Sequence, residues 1–355
     1  ACAIGAEFGT KFAFTTPENT CKDHWCSGEE MDLMDTKKQG RQQQPTSAKD
    51  ITQAMIKHVV GIAELSDASA IFVYVDALEE KALPLPEELE PKVYYVTRTI
   101  WEDQVQRHRG TRFIRVPDVQ LSRLGQVKVA IFLALSRGLI KAGDTVVFLA
   151  GLASTGTLDT LIVTQVGREY EIFSSSENNV NLPKGIRPEV IEKTIDIATQ
   201  LGAQGREGKP VGALFVIGDS ERVSSMTKQL VINPFKGYPR ENRNILDKNL
   251  TETIKEFSSI DGAFVIGGDG IIESCGTYLK TGSQEEFELP RGLGARHHSA
   301  AGITSVADCI AVTVSESTGT VTVFRGGQII TEIEKQRSIG TRAQLEKWQK
   351  NSVDE

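Results

Sequence analysis

Asp261 opens an apolar run in Ser259-Ile260-Asp261-Gly262-Ala263-Phe264-Val265-Ile266. Further on, Leu293-Gly294-Ala295-Arg296-His297-His298-Ser299 presents three consecutive side chains able to meet a phosphate. Phosphoryl transfer needs this division of labour. A carboxylate can hold a hard divalent cation, while guanidinium and imidazole donors take up charge on phosphate oxygens. A charged group beside so apolar a run is costly unless it is employed, which makes Asp261 the first candidate. Gly262 and Ala263 keep the backbone bare, so a ligand can approach closely. Arg296 offers a planar fork of donors, and His297 and His298 can donate as well. Gly294 and Ser299 put small groups around an expected helix N-terminus, itself favourable for anions. The plainer alternatives are a turn-capping aspartate and a solvated polar helix start.

The elements that must position these residues follow from periodicity. Pro188 opens a helix with Ile191, Ile195 and Ala198 on one face, and Gly202 is expected to end it. Strands are expected at 211–217, 263–266, 271–274, 309–314 and 320–324, with helices at 245–257 and 296–306. Gly267-Gly268-Asp269-Gly270 and Arg325-Gly326-Gly327-Gln328 read as hairpin turns. Towards the N-terminus, Ile56, Val59, Val60 and Ala63 recur at helical spacing, and an apolar strand follows at 70–75. Further strands are expected at 92–96, 112–116, 145–150 and 160–166, around a helix at 121–139. Strands alternating with helices predict a largely parallel, covered sheet. The polar stretch 174–179 is the linker candidate. The fold class is therefore α/β in two domains: 49–176, largely parallel, and 184–335, with a mixed sheet. A polar helix is expected at 336–355.

Several ordered blocks resemble the diadenylate cyclase domain: Asn233-Pro234-Phe235, Ile260-Asp261-Gly262-Ala263, Gly276-Thr277-Tyr278-Leu279, the Arg296 block and Val314-Ser315-Glu316-Ser317-Thr318-Gly319. Any one of them is weak, and their order and strand context carry the assignment. The resemblance implies an enzyme that joins two ATP molecules into cyclic di-AMP. It implies Mg²⁺ or Mn²⁺ held by Asp261 and Glu316. It makes Asp261, Arg296, His297 and His298 catalytic, and gives Gly262, Ala263, Tyr278, Leu279, Gly294, Ser299 and Ser315 to substrate binding. One such domain holds one ATP, so two must meet across a two-fold interface. The family commonly has Thr at the place of Ala295 and Arg at that of His298. Those departures leave a second reading open, a module that senses ATP or cyclic di-AMP without catalysis. Gly138 to Gly151, followed by Ser154 to Thr160, carry a resemblance of roughly residues 50–175 to the C-terminal domain of pyruvate kinase, and the loop Gly151 to Gly156 reads either as a plain link between two strands or as a phosphate cradle. The whole pattern resembles archaeal-type diadenylate cyclases.

Composition bounds the rest. A chain of 355 residues fits two domains, and 39% hydrophobic with 25% charged residues describes a globular protein. A net charge of −7 argues against a nucleic-acid partner. No run of eighteen or more apolar residues argues for a membrane span, so a cytoplasmic protein is expected. Cys275 and Cys309 read as buried free thiols. Cys21 and Cys26 have half the spacing of a zinc site, with no second pair to complete it. Residues 1–48 lack periodicity and a secretory core, and they read as a disordered or vector-derived tail with Met31 or Met34 as the natural start.

Overall fold

Branched and aromatic runs become strands in this chain because helices cover the sheets they form. The computed structural model describes residues 47–78, 92–99, 112–168, 183, 185–280, 289–290 and 292–334. The expected tail, the linker at 174–179, the helix at 336–355 and the three N-terminal cysteines lie essentially outside these residues.

Helix α1 (Ala48–Leu65) starts in a capping box. The Ser47 hydroxyl accepts from the Asp50 amide, and the Asp50 carboxylate accepts from the Ser47 amide. Thr52, Ile56, Val59 and Ala63 are its buried positions. The first sheet contains β1 (Ala70–Tyr74), β2 (Val93–Thr97), β3 (Arg112–Arg115), β4 (Thr145–Ala150) and β5 (Thr160–Gln165), in the order β3-β2-β1-β4-β5. The first four pair in parallel and β5 is antiparallel. The whole of β1 is buried, as a parallel strand between covered faces requires. Helix α2 (Arg123–Ser136) is shorter than the expected 121–139. The Ser122 hydroxyl caps its start, and Gly138, at a φ of 66°, turns the chain away from its end.

The second sheet has seven strands: β6 (Ala213–Ile217), β7 (Thr227–Gln229), β8 (Ala263–Ile266), β9 (Ile272–Leu279), β10 (Ile310–Val314), β11 (Val321–Arg325) and β12 (Gln328–Ile333). Their order is β12-β11-β10-β6-β8-β9-β7, with β6 and β8 the parallel pair in an otherwise antiparallel ladder. Helices α3 (Pro188–Gln204), α4 (Ser220–Ser225), α5 (Leu250–Phe257) and α6 (Ala295–Val306) accompany it. Strand alternation separates two cores. Phe215 and Ile217 join Val190, Ile191 and Ile195 of α3, while Leu214 and Val216 join Ala300, Ala301 and Ile303 of α6. The apolar cluster on the α3 side also contains Phe72, Phe148 and other residues of the first sheet.

Three of these boundaries differ from expectation for physical reasons, and two elements are new. Helix α3 passes Gly202 and ends at Gln204, with Gly205 as its cap. The chain at 245–257 is helical only from Leu250, after a 3₁₀ turn at Arg240–Arg243. Strand β9 continues to Leu279 because β7 pairs with its far end. Neither α4 nor β7 was foreseen from the sequence, since both are short and polar.

Candidate active site

Sheet register brings the candidate residues to one edge. Val314 lies opposite Ala213, and Phe215 lies opposite Phe264 in the parallel pair. The start of β6, the start of β8 and the end of β10 therefore share one end of three adjacent strands. Gly212, Asp261 with Gly262, and Ser315 with Glu316 stand there. Helix α6 packs beneath β6, β10 and β11 and begins at this same end, with Gly294 as its N-cap.

The guanidinium of Arg296 joins the two carboxylates. Its Nη2 is 3.4 Å from Asp261 Oδ1 and its Nη1 is 3.5 Å from Glu316 Oε2. Arg296 is 32% exposed, against 87% for Asp261 and 63% for Glu316, so a half-sunk cation carries two acids that face solvent. Pairs this long and this exposed are worth about 0–1 kcal/mol each, so a stronger partner can displace them. Arg296 Nε is buried and has no partner.

Backbone shape holds Asp261 in place. Gly262 has a φ of 109°, and a Cβ there would come within 2.5 Å of the Thr277 nitrogen. Gly276, facing it on β9, has a φ of 63°. Gly212 is a site residue that sequence reasoning missed. A glycine immediately before a strand was its one available signal.

The remaining candidates divide. His298 is exposed on the first turn of α6, next to Arg296, with Gly294 and the half-buried Ser299 close in the chain. His297 points the other way. It is 5% exposed and edge-on to Phe324 at 6.0 Å, with Nδ1 unpartnered. Burial holds its imidazole below the ordinary histidine value, and electrostatic repulsion from the neighbouring His298 and Arg296 adds to this. Ser315 is half-buried in the turn after β10, where its hydroxyl accepts from the Thr318 amide. Ala263 is buried. Tyr278 is exposed on β9 while its neighbour Leu279 is buried in the core under α6, so the two face opposite ways. Cys275 and Cys309 are buried free thiols, each pushed up to about 12 by burial, and thus inert near neutral pH.

The donor set fits a shared metal ion better than a protein cage. Among the described residues no three His, Cys, Asp or Glu side chains gather to enclose an ion. Asp261 and Glu316 instead offer two exposed carboxylates. Mg²⁺ is commonly held by one or two carboxylates together with substrate phosphates.

Residues 200–329 match the family model described as DisA bacterial checkpoint controller nucleotide-binding, and residues 52–173 match one described as Probable sensor domain DacZ_P. A diadenylate cyclase of Methanocaldococcus jannaschii is 38% identical over 213 residues, which is 58% of this chain and 65% of that protein. A diadenylate cyclase of Haloferax volcanii is 33% identical over 227 residues, covering 62% of this chain and 80% of that protein. The first of these relatives is thus matched over just under two thirds of its length. The solved structure of DacA from Staphylococcus aureus aligns with 46% of this chain and 94% of its own, at 21% identity and a TM-score of 0.27.

Proposed function

The chain belongs to the diadenylate cyclase family, and we propose that paired copies of it condense two ATP molecules into cyclic di-AMP and two pyrophosphates. The observation that carries this reading is the meeting of Asp261, Arg296 and Glu316 at one end of β6, β8 and β10.

In the first step the 3′-hydroxyl oxygen of one ATP forms a bond to the α-phosphorus of the other. The bond from that phosphorus to the bridging oxygen of the β-phosphate breaks, pyrophosphate leaves, and the hydroxyl proton passes to solvent. A second, symmetry-related attack closes the ring. Asp261 orients the attacking hydroxyl and, with Glu316, would hold Mg²⁺ or Mn²⁺. When bound, such an ion supplies charge neutralisation and a lower hydroxyl pKa. Arg296 turns its fork to the phosphate oxygens, for which its present carboxylate partners are stand-ins. His298 adds a donor from the same helical turn. His297 supports that turn from below through its packing on Phe324. Gly262, Gly294 and Ser299 leave room for the nucleotide, and Ser315 and Ala263 border it. Tyr278 offers an exposed ring for adenine, with Leu279 fixing the strand behind it.

Positioning across two copies supplies much of the barrier reduction. The exposed run Leu230, Val231 and Ile232, which follows the edge strand β7, supports self-association on this side of the sheet, since Ile232 is 94% exposed. Residues 49–176, whose sheet shares an apolar cluster with the second one, would act as a regulatory or assembling part of the pyruvate kinase C-terminal type, ahead of the cyclase part at 184–335. Among the described residues no helix is long and apolar enough to cross a membrane.

The test is incubation of the full chain with ATP and Mn²⁺, followed by chromatography for cyclic di-AMP. Product from the wild type and none from a folded Asp261→Asn variant supports the cyclase. Tight nucleotide binding with no product would replace it by the sensing module.

A further inference from the structure

Away from the cyclase edge, a cavity of about 210 Å³ lies between the end of β3 and helix α3. Its floor is apolar, made by Val116, Pro117, Leu133 and Leu246. Its rim carries three cations from three separate segments: Arg115 at the end of β3, Lys193 on α3, and Lys248 in the turn before α5.

The acids on the same rim are already engaged. Glu192 receives two hydrogen bonds from Arg137, at 2.5 and 2.8 Å. Glu189 is 3.5 Å from Arg187. Asp196 accepts from Gln200 at 2.9 Å and reaches Lys193 only at 4.0 Å. The side chains of Arg115 and Lys248 form no ion pair with any described residue. Burial lowers the Lys193 ammonium from its ordinary value. Asp196 opposes this, and repulsion from Arg115, Lys255 and Lys248 adds to it. Arg115 and Lys248 thus stand beside Lys193 with no carboxylate of their own, and Lys193 has one only at 4.0 Å, which leaves a place for an anion.

We propose that this cleft binds a small phosphate-bearing metabolite, its phosphate held by Arg115, Lys193 and Lys248 and its apolar body resting on Val116, Pro117, Leu133 and Leu246. The cavity is smaller than the roughly 300–1,000 Å³ that drug-sized ligands occupy, so the ligand is a compact phosphate ester rather than a dinucleotide. Arg115 stands at the carboxyl end of the parallel edge strand β3. The ligand would touch both matched segments, since Arg115 and Leu133 lie in 52–173 and Leu246 and Lys248 in 200–329. It would also lie on α3, which packs on β10, the strand leading into Glu316.

The test is calorimetric titration of the full chain with ribose 5-phosphate, with ribose and inorganic phosphate as comparison arms. Ribose 5-phosphate should bind saturably, inorganic phosphate more weakly, and ribose not at all. Arg115→Ala with Lys248→Ala should raise Kd at least about tenfold, equivalent to about 1.4 kcal/mol, while the melting curve stays in place. Should the double variant unfold, Lys248→Gln alone, at an exposed turn, should still weaken binding. Arg296→Ala should leave binding unchanged, because the cyclase edge is not involved. Equal affinity in wild type and variants, a dependence on Arg296, or no saturable binding by about 1 mM would overturn the site. Turnover is not read, so the result is independent of the cyclase assignment.

Discussion

A Cβ at position 212 would stand 2.6 Å from Nη1 of Arg296 and 3.2 Å from the Cβ of Glu316, so the absence of a side chain at Gly212 lets the guanidinium lie between its two carboxylates. The obstacle in Gly212→Ala is the tip of a flexible side chain, which can swing aside. The fold should survive, with stability within about 0.5 kcal/mol of wild type. Cyclic di-AMP output should fall by about tenfold to a hundredfold, because a displaced donor no longer meets the phosphate. Chromatographic assay and a melting curve of one preparation check both halves. Full activity in the variant would remove Gly212 from any positioning role.

Gly262 should behave in the opposite way. Its φ of 109° and the Thr277 nitrogen, 2.5 Å from a built Cβ, are backbone constraints that no rotamer relieves. Gly262→Ala should lose about 1–3 kcal/mol in a denaturant titration and lose activity with it. Intact stability would mean that the close approach of Gly262, just before β8, to Gly276 on β9 tolerates a side chain.

His297 gives the fold an acid-side weakness. Its imidazole is held below the ordinary 6.5, first by burial and then by His298 and Arg296. As pH falls through 6.5 the unfolded chain takes up a proton that the folded chain still refuses, so stability drops with falling pH. Since Nδ1 has no partner to lose, His297→Leu should fold at neutral pH and flatten this loss. Denaturant titrations at pH 7.5 and about 5.5 compare the two, and identical losses would clear His297 of the effect.

Much of this arrangement is legible in residue order. Thr145–Ala150 and Ala263–Ile266 coincide with their expected strands because each is an apolar run cut off by turn-forming residues. Gly202 misleads, since it serves contact and not termination: a Cβ there would stand 2.1 Å from the Gly319 carbonyl oxygen, where α3 passes the turn before β11. Strand β7 has no apolar signal, being Thr227-Lys228-Gln229, and its pairing with β9 creates it. The charges of Asp261, Arg296 and Glu316 announce themselves, whereas Gly212 carries no such mark. The triplet Arg296-His297-His298 reads as uniformly polar. Helical phase divides it, because His297, Ala300, Ala301 and Thr304 share the buried face of α6.

The last expectation concerns assembly and follows from stoichiometry. One Asp261 and one Arg296 supply parts for a single ATP, so ring closure needs attack from two opposed copies. An Asp261→Asn chain should keep its fold, since Asp261 is 87% exposed and its one ion pair is long. Mixed with wild type, it should form pairs in which one of the two attacks fails. Cyclic di-AMP output should then fall with the square of the wild-type fraction, more steeply than dilution alone. A chain that binds both nucleotides itself predicts output proportional to the wild-type chains present. Subunit exchange is verified in the same experiment by energy transfer between labelled chains. A linear response with demonstrated exchange would rule out the paired arrangement, and a quadratic one would place each half of the reaction on a different copy.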